Sequence, residues 1–274
     1  MTYFGFLATF VVPPILLLWL IALIDHRRGV RMPLNLTLIS GWTAVATHVL
    51  IAVAYTTPWD NYLVATGVWW YEKSLVTGLT LGFVPIEEYT FFVLQVLLTG
   101  SWLLLLMRRV PPRQLFQPST RTRWVWTAVV FVVWLIFATI LLSGWKPGTY
   151  LGLLMTWALL PVMIQTAFGA DILWHHRRIV VLSILPMTAY LAITDKLAIS
   201  AGTWTIDPIQ SLQSLGIILP GKLPLEELLF FLMTNILIVF GCTLILDVES
   251  RARTNRLVST VRGMIASRRD RGVA

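Results

Sequence analysis

Apolar residues along this chain fall into long unbroken runs rather than short alternating segments. Seven of the runs approach or exceed the roughly 20 residues with which an α-helix crosses about 30 Å of hydrocarbon. They extend from Tyr3 to Ile24, Leu34 to Tyr55, Pro85 to Met107, Trp124 to Leu142, Tyr150 to Phe168, Ile179 to Ile199 and Leu223 to Leu246. The fifth and sixth are the most interrupted, because Asp171 follows one and Asp195 lies inside the other. Continuous runs exclude a membrane β-barrel, whose strands alternate. The pattern predicts an all-α polytopic membrane protein with about seven transmembrane helices.

Composition agrees with that class. The chain is 57% hydrophobic and only 12% charged, where a soluble domain carries about 25% charged residues. A net charge of +8 raises the question of a nucleic-acid partner, and the placement of the charges argues against one. With the N-terminus outside, all seventeen arginines share one face: Arg27, Arg28 and Arg31, the stretch from Arg108 to Arg123, Arg177 and Arg178, and the tail from Arg251 to Arg271. Only the four lysines, Lys73, Lys146, Lys196 and Lys222, fall on the other. The positive-inside rule then predicts an external N-terminus and a cytoplasmic C-terminus in the inner (plasma) membrane. Six or eight spans would scramble this division. The basic tail reads as an anchor beside anionic membrane lipid, and no nucleic-acid partner is expected. Met1 and Thr2 form no basic segment before the first run, so that run is expected to be a retained helix. A single cysteine, Cys242, leaves no internal disulfide and no cysteine-based metal cluster.

Comparing the chain with itself reveals a repeat. Phe83 to Phe92 recurs as Lys222 to Phe231, with the proline, both glutamates and both phenylalanines matched at an offset of 139. Upstream, Asp60, Gly67 and Trp69 match Asp195, Gly202 and Trp204 at an offset of 135, and His26-Arg27-Arg28 matches His176-Arg177-Arg178 at 150. The falling offset predicts a shorter second helix in the second copy. Residues 1–110 and 148–247 form the two three-helix copies, 111–147 a linker containing the fourth helix, and 248–274 a basic tail. Three helices plus one linker make the copies parallel, so both Pro-x-Glu-Glu-x-x-Phe-Phe motifs enter from the same side and can face one another across an axis along the membrane normal.

Pro85 and Pro224 are expected to open their helices, which puts Glu87, Glu88, Glu226 and Glu227 in first turns. A carboxylate there can simply satisfy free amides and the helix dipole. Two adjacent glutamates, repeated, each pair followed by paired phenylalanines, fit that reading less well. The segments before the motifs, Leu75 to Val84 and Leu212 to Pro220, are apolar enough to carry the motifs below the membrane surface, where an acidic cluster points to function. Glu87 and Phe91, Glu88 and Phe92, Glu226 and Phe230, and Glu227 and Phe231 are spaced to stack at i and i+4. Trp69, Trp70 and Trp204 precede the motifs on the same side. Most of the thirteen tryptophans and thirteen phenylalanines are expected to serve as interfacial belt and apolar filler. A proton donor among aromatic faces nevertheless suits protonation of an alkene and shelter of the carbocation.

Other polar candidates are weaker. Asp60 and Asp195 are placed either to orient the glutamates or to cap helices. Gln95 lies two turns below Glu88, with Thr234 and the adjacent Asn235 as an imperfect counterpart. His48 reads as a satisfied buried histidine, and Asp171 with His175 and His176 as a solvated cytoplasmic loop rather than a metal site.

The duplicated Pro-x-Glu-Glu-x-x-Phe-Phe on three-helix halves resembles the lycopene cyclase domain family of membrane proteins, over nearly the whole chain to Leu246. The resemblance implies non-redox cyclisation of the linear ψ-ends of lycopene, or a related linear carotenoid, to β-rings, giving γ-carotene and then β-carotene. It implies an acid, a carbocation and a base, carried at Glu87, Glu88, Glu226 and Glu227, with Phe91, Phe92, Phe230, Phe231, Trp69 and Trp204 around the substrate. No cofactor or metal is expected, since no Gly-x-Gly-x-x-Gly follows a strand. Contact with other carotenoid enzymes stays open. A proton-coupled transporter is the main rival, because internal repeats with membrane-embedded acids are typical of transporters. Acids at helix starts near one face fit it less well. A retinal protein needs a lysine inside the last span, and Lys222 precedes it; a membrane prenyltransferase needs aspartate-rich motifs that this chain lacks.

Overall fold

The computed structural model describes residues 1–110 and 116–271. The start of the linker, with Arg113, and the last three residues of the tail lie outside the described residues. Among the described residues seven helices are long and apolar enough to cross a membrane, one for each apolar run of the sequence. They are α1 (Tyr3–Arg27), α2 (Gly41–Ala65), α3 (Ile86–Arg109), α4 (Thr120–Leu142), α5 (Thr149–His175), α6 (Arg177–Ser200) and α7 (Leu225–Leu246). The basic tail forms α8 (Val248–Arg271). The motif helices α3 and α7 are the most buried and form the centre of the bundle, whereas α4 has no buried residue and packs against α5.

Prolines inside the spans knit the bundle together. A proline has no N–H for the carbonyl four residues earlier, and in a membrane a freed carbonyl needs another donor. Pro14 frees the carbonyl of Phe10, which accepts the Tyr190 hydroxyl at 2.6 Å. Pro161 frees Trp157, whose carbonyl accepts the Tyr55 hydroxyl at 2.9 Å. Pro186 frees Leu182, whose carbonyl accepts the Trp102 indole N–H at 3.0 Å. Each bond ties two different helices and contributes on the order of 1 kcal/mol.

The second helix of copy two is shorter by only one residue, too little to account for the falling offset: α2 has 25 residues and α6 has 24. The lost length lies in the connection. Copy one crosses from α1 to α2 through residues 28–40 with a short 3-10 turn (Leu34–Leu36), whereas only His176 separates α5 from α6. Asp171 and His176 also depart from the expected solvated loop, since both are buried. Asp171 takes two hydrogen bonds from the Arg253 guanidinium at 2.9 Å, and His176 meets Asp247 at 2.8 Å. Asp25 pairs with Arg108 and Arg109 at the same end of the bundle. Burial in that interior leaves a carboxylate costly unless it is paired, and Asp171 and Asp25 each find an arginine.

At the opposite end lie three two-stranded ladders among the described residues. β1 (Trp69–Tyr71) pairs antiparallel with β4 (Trp204–Ile206); β2 (Thr80–Leu81) pairs with β3 (Val84–Pro85), and β5 (Ile218–Leu219) with β6 (Leu223–Pro224). The β1–β4 register is Trp69 with Ile206, Trp70 with Thr205 and Tyr71 with Trp204. Under the offset of 135 this ladder is its own image, so equivalent strands of the two copies meet at Trp70 and Thr205.

Candidate active site

Each motif is delivered by a hairpin that runs straight into its helix. Pro85 and Pro224 occupy the N-cap in extended conformation, one residue before the expected first helical position, and Ile86 and Leu225 begin the helices. The first hairpin turns at Gly82, whose φ is +70° and where a Cβ would stand 2.1 Å from Asn61 Oδ1. Asn61 accepts the Phe83 N–H at 2.8 Å and fixes the turn to α2.

All four glutamates are buried, with at most 9% of any of them exposed, yet they divide into two kinds. The first of each pair faces backward: Glu87 accepts the backbone N–H of Thr77 at 2.6 Å, and Glu226 that of Leu212 at 2.7 Å. These carboxylates hold the preceding loop onto the helix start. The second of each pair faces inward. Glu88 accepts hydroxyls from Tyr3 at 2.5 Å and Tyr71 at 3.0 Å, and Glu227 accepts the hydroxyl of Tyr150 at 2.6 Å. Successive helical residues point about 100° apart, which is why adjacent acids part company. Tyr71 lies in the strand before the motif; burial first, and the carboxylates of Asp60 and Glu88 second, push its phenol well above the ordinary value, so it remains a proton donor.

Glu88 and Glu227 open into one cavity of about 40 Å³ between the copies. Its walls include Phe91, Phe230, Phe231, Trp69, Trp204 and Asp195. Phe91 and Phe231 meet edge to face with ring centroids 6.2 Å apart. Asp195 is neither exposed nor at a cap: one oxygen accepts the Trp204 indole N–H at 3.1 Å, and the other has no partner among the described residues. Asp60, its counterpart in α2, is equally buried with both carboxyl oxygens unpartnered among the described residues, and it does not line the cavity. Phe92 faces a second cavity, lined by residues of α2, α3, α5 and α7, and Trp70 is 45% exposed. Gln95 and Asn235 stand away from the carboxylates, in the seam between α3 and α7. There Gln95 donates to Thr234 at 2.6 Å, and Asn235 accepts from Thr99 at 2.7 Å and donates to Thr188 at 3.1 Å. Gln95 and Thr234 are equivalent under the offset of 139, so the copies touch at this level too. His48 is buried, with Nδ1 2.9 Å from the carbonyl of Ala44.

The tyrosines are the residues that sequence reasoning missed. Tyr3 and Tyr150 are equivalent, at an offset of 147 that also matches Gly5 with Gly152, Thr9 with Thr156 and Pro14 with Pro161. Following the repeat into the first helix of each copy finds them.

The fold and the site together define a polytopic helical membrane protein in which two equivalent carboxyl groups, each held by a phenol, converge on one aromatic pocket. The chain is 36% identical over 252 residues to a lycopene beta-cyclase of Halobacterium salinarum, covering 92% of this chain and 99% of that protein. It is 37% identical over 200 residues to a bifunctional lycopene cyclase/phytoene synthase of Colletotrichum graminicola, covering 70% of this chain and 34% of that longer protein. No family model matches the chain, and no solved structure matches it. The chain belongs to the lycopene beta-cyclase family.

Proposed function

We propose that this protein is a lycopene beta-cyclase, an isomerase that closes the ψ-ends of lycopene or a related linear carotenoid into β-rings by proton chemistry alone. The observation that carries the reading is the convergence of Glu88 and Glu227 on one aromatic cavity. One of the two, protonated, gives its proton to the terminal double bond of the substrate end. The neighbouring double bond attacks the resulting cation and closes the six-membered ring. The other carboxylate removes a proton from the ring and restores an alkene, so the formula of the substrate is unchanged. General acid–base steps of this kind contribute about 10²–10⁴-fold each. The ring faces of Phe91, Phe230, Phe231, Trp69 and Trp204 shield the cation from water and stabilise it. Glu87 and Glu226 act one step back, by holding the loops that shape the cavity.

The organisation we assign is two repeats, 1–110 and 148–247, with a linker at 111–147 and a basic tail at 248–274. The equivalent residues that meet at the β1–β4 ladder and at Gln95 and Thr234 support it. The one-sided arginines support an external N-terminus and a cytoplasmic C-terminus in the inner membrane, with lipid as the surrounding partner. The test is expression in bacteria that accumulate lycopene, with pigments separated by chromatography. Yellow β-carotene in place of red lycopene is the expected result; unchanged lycopene with good membrane expression overturns the reading.

A further inference from the structure

The chamber between the two acids measures about 40 Å³, space for only a few waters. A forty-carbon chain with its tip at Glu88 and Glu227 must lie elsewhere along nearly all its length. Phe230 forms a wall of the chamber and, equally, the end of a second cavity of about 340 Å³ lined by residues of α2, α3, α5 and α7. That cavity shares His48, Ile51, Ile164 and Gln165 with a third, of about 550 Å³, which continues to Ile245 and the polar edge at Arg251 and Asn255. The two form one groove along α7. From Phe230 to Ile245 it covers fifteen residues, about 22 Å at 1.5 Å per residue, against about 30 Å of hydrocarbon.

The repeat shows how the groove can pass along α7 at this level. Gly241 of α7 is equivalent, at the offset of 139, to Trp102 of α3. On the copy-one side the Trp102 indole reaches across to the carbonyl of Leu182 and bridges the helices there. On the other side Gly241 has no side chain; a Cβ there would lie 2.0 Å from His48 Nε2, so the tip of the imidazole ring abuts the backbone at Gly241, and both residues line the groove as it continues past them.

Resting on the cyclase reading, we infer that this groove is the polyene-binding channel: the carotenoid lies along α7 between α2 and α5, with Phe230 as the partition it passes to present one end to Glu88 and Glu227. The observations that select a long hydrocarbon are the position of the groove directly behind the acid chamber, with Phe230 as their common wall, the apolar lining at Ile51, Ile164 and Leu237, and the elongated shape. With duplicated acids and one channel, the protein holds one carotenoid at a time, and a two-ended product requires the chain to leave and return reversed.

Ile51 and Ile164 sit on the lips of the groove, 51% and 71% exposed, so enlarging them obstructs it without disturbing packing. In lycopene-accumulating bacteria, Ile164→Trp and Ile51→Trp are expected to lower conversion at least about tenfold at equal membrane expression, within the range that a steric mismatch in an apolar pocket commands. Ile193→Trp, exposed on α6 away from the groove, leaves conversion unchanged. A Glu88→Gln/Glu227→Gln double variant extracted in mild detergent is expected to carry red lycopene, read by its absorbance, and to lose it when Ile164→Trp is added. Wild-type conversion undiminished in both groove variants overturns the channel and leaves the cyclase reading standing, whereas a wild type that does not convert lycopene overturns the cyclase reading itself. Lycopene retained by the triple variant, or phospholipid chains found in the groove with conversion unaffected by Ile164→Trp, also overturns the channel.

Discussion

The two copies deliver their inward acids with the same geometry and hold them with different hands. Glu88 accepts from two phenols, Tyr3 and Tyr71. Glu227 accepts from one, Tyr150, because the residue equivalent to Tyr71 is Ile206. The tryptophans invert the bias: Trp204 donates to Asp195, while the indole N–H of Trp69 has no partner among the described residues. Duplication supplied two identical carboxyl groups, and substitution around them has made them inequivalent. Acid catalysis followed by deprotonation needs one group that gives a proton and another that takes one, so a symmetric pair that has lost its symmetry suits the task.

The largest effect tests whether both inward acids are needed. Glu88→Gln and Glu227→Gln are each expected to lower lycopene conversion by about 10²–10⁴-fold, the ordinary size of a lost general acid or base. If only one of them matters, the second copy is scaffold and the comparison breaks. Pigment analysis at matched expression, with purified protein in detergent for the rate, provides the measurement.

Next come the phenols, where the asymmetry makes an ordered prediction. Tyr150→Phe removes the hydroxyl that holds Glu227 and is expected to cost near the upper end of about 1.5–3 kcal/mol for a bond to a carboxylate. That corresponds to about a hundredfold in rate if expressed fully in the transition state. Tyr3→Phe and Tyr71→Phe each leave Glu88 one donor and are expected to cost about tenfold, at the lower end of the same range. Equal losses in all three variants mean that neither phenol on Glu88 can stand in for the other, and the ordered asymmetry between the copies is wrong. Ile206→Tyr restores the missing donor in copy two and sharpens the test: combined with Tyr150→Phe, it is expected to recover part of the loss.

Much of this architecture is legible in the residues before any fold is known. Seven apolar runs become seven long helices, because crossing a bilayer leaves few structures besides a helix that satisfy every backbone group. The repeat points to the glutamates and to Phe91, Phe230, Phe231, Trp69 and Trp204, which line the cavity, and to Phe92, which does not. What escapes is whatever depends on the direction a side chain takes or on distant partners. Adjacent glutamates look alike in a sequence, and the 100° between them, which sends Glu88 inward and Glu87 back to Thr77, becomes meaningful only once the hairpin is in place. A falling offset counts missing residues without saying that they belonged to a loop rather than to α6. Asp171 reads as solvated because Arg253, which buries with it, lies 82 positions along the chain.

The smallest expected effect is the one that separates the two kinds of glutamate. In Glu87→Gln the side-chain carbonyl oxygen can still accept the Thr77 N–H, and in Glu226→Gln that of Leu212; what goes is the charge that strengthens these bonds. The cost is then on the order of 1 kcal/mol, and conversion should stay within about tenfold of wild type. Glu87→Ala and Glu226→Ala are different, because they remove the acceptor altogether; Glu226→Ala strands the buried Leu212 amide and should lower the thermal stability of the detergent-solubilised protein by about 1–3 kcal/mol, and Glu87→Ala, which frees the more exposed Thr77 amide, by less. The pattern to look for is glutamine tolerated and alanine destabilising at the outer positions, against glutamine inactive and well folded at Glu88 and Glu227. Should Glu87→Gln abolish conversion while the protein melts like wild type, the proton chemistry involves the outer carboxylate, and the division read from Thr77 and Leu212 is wrong.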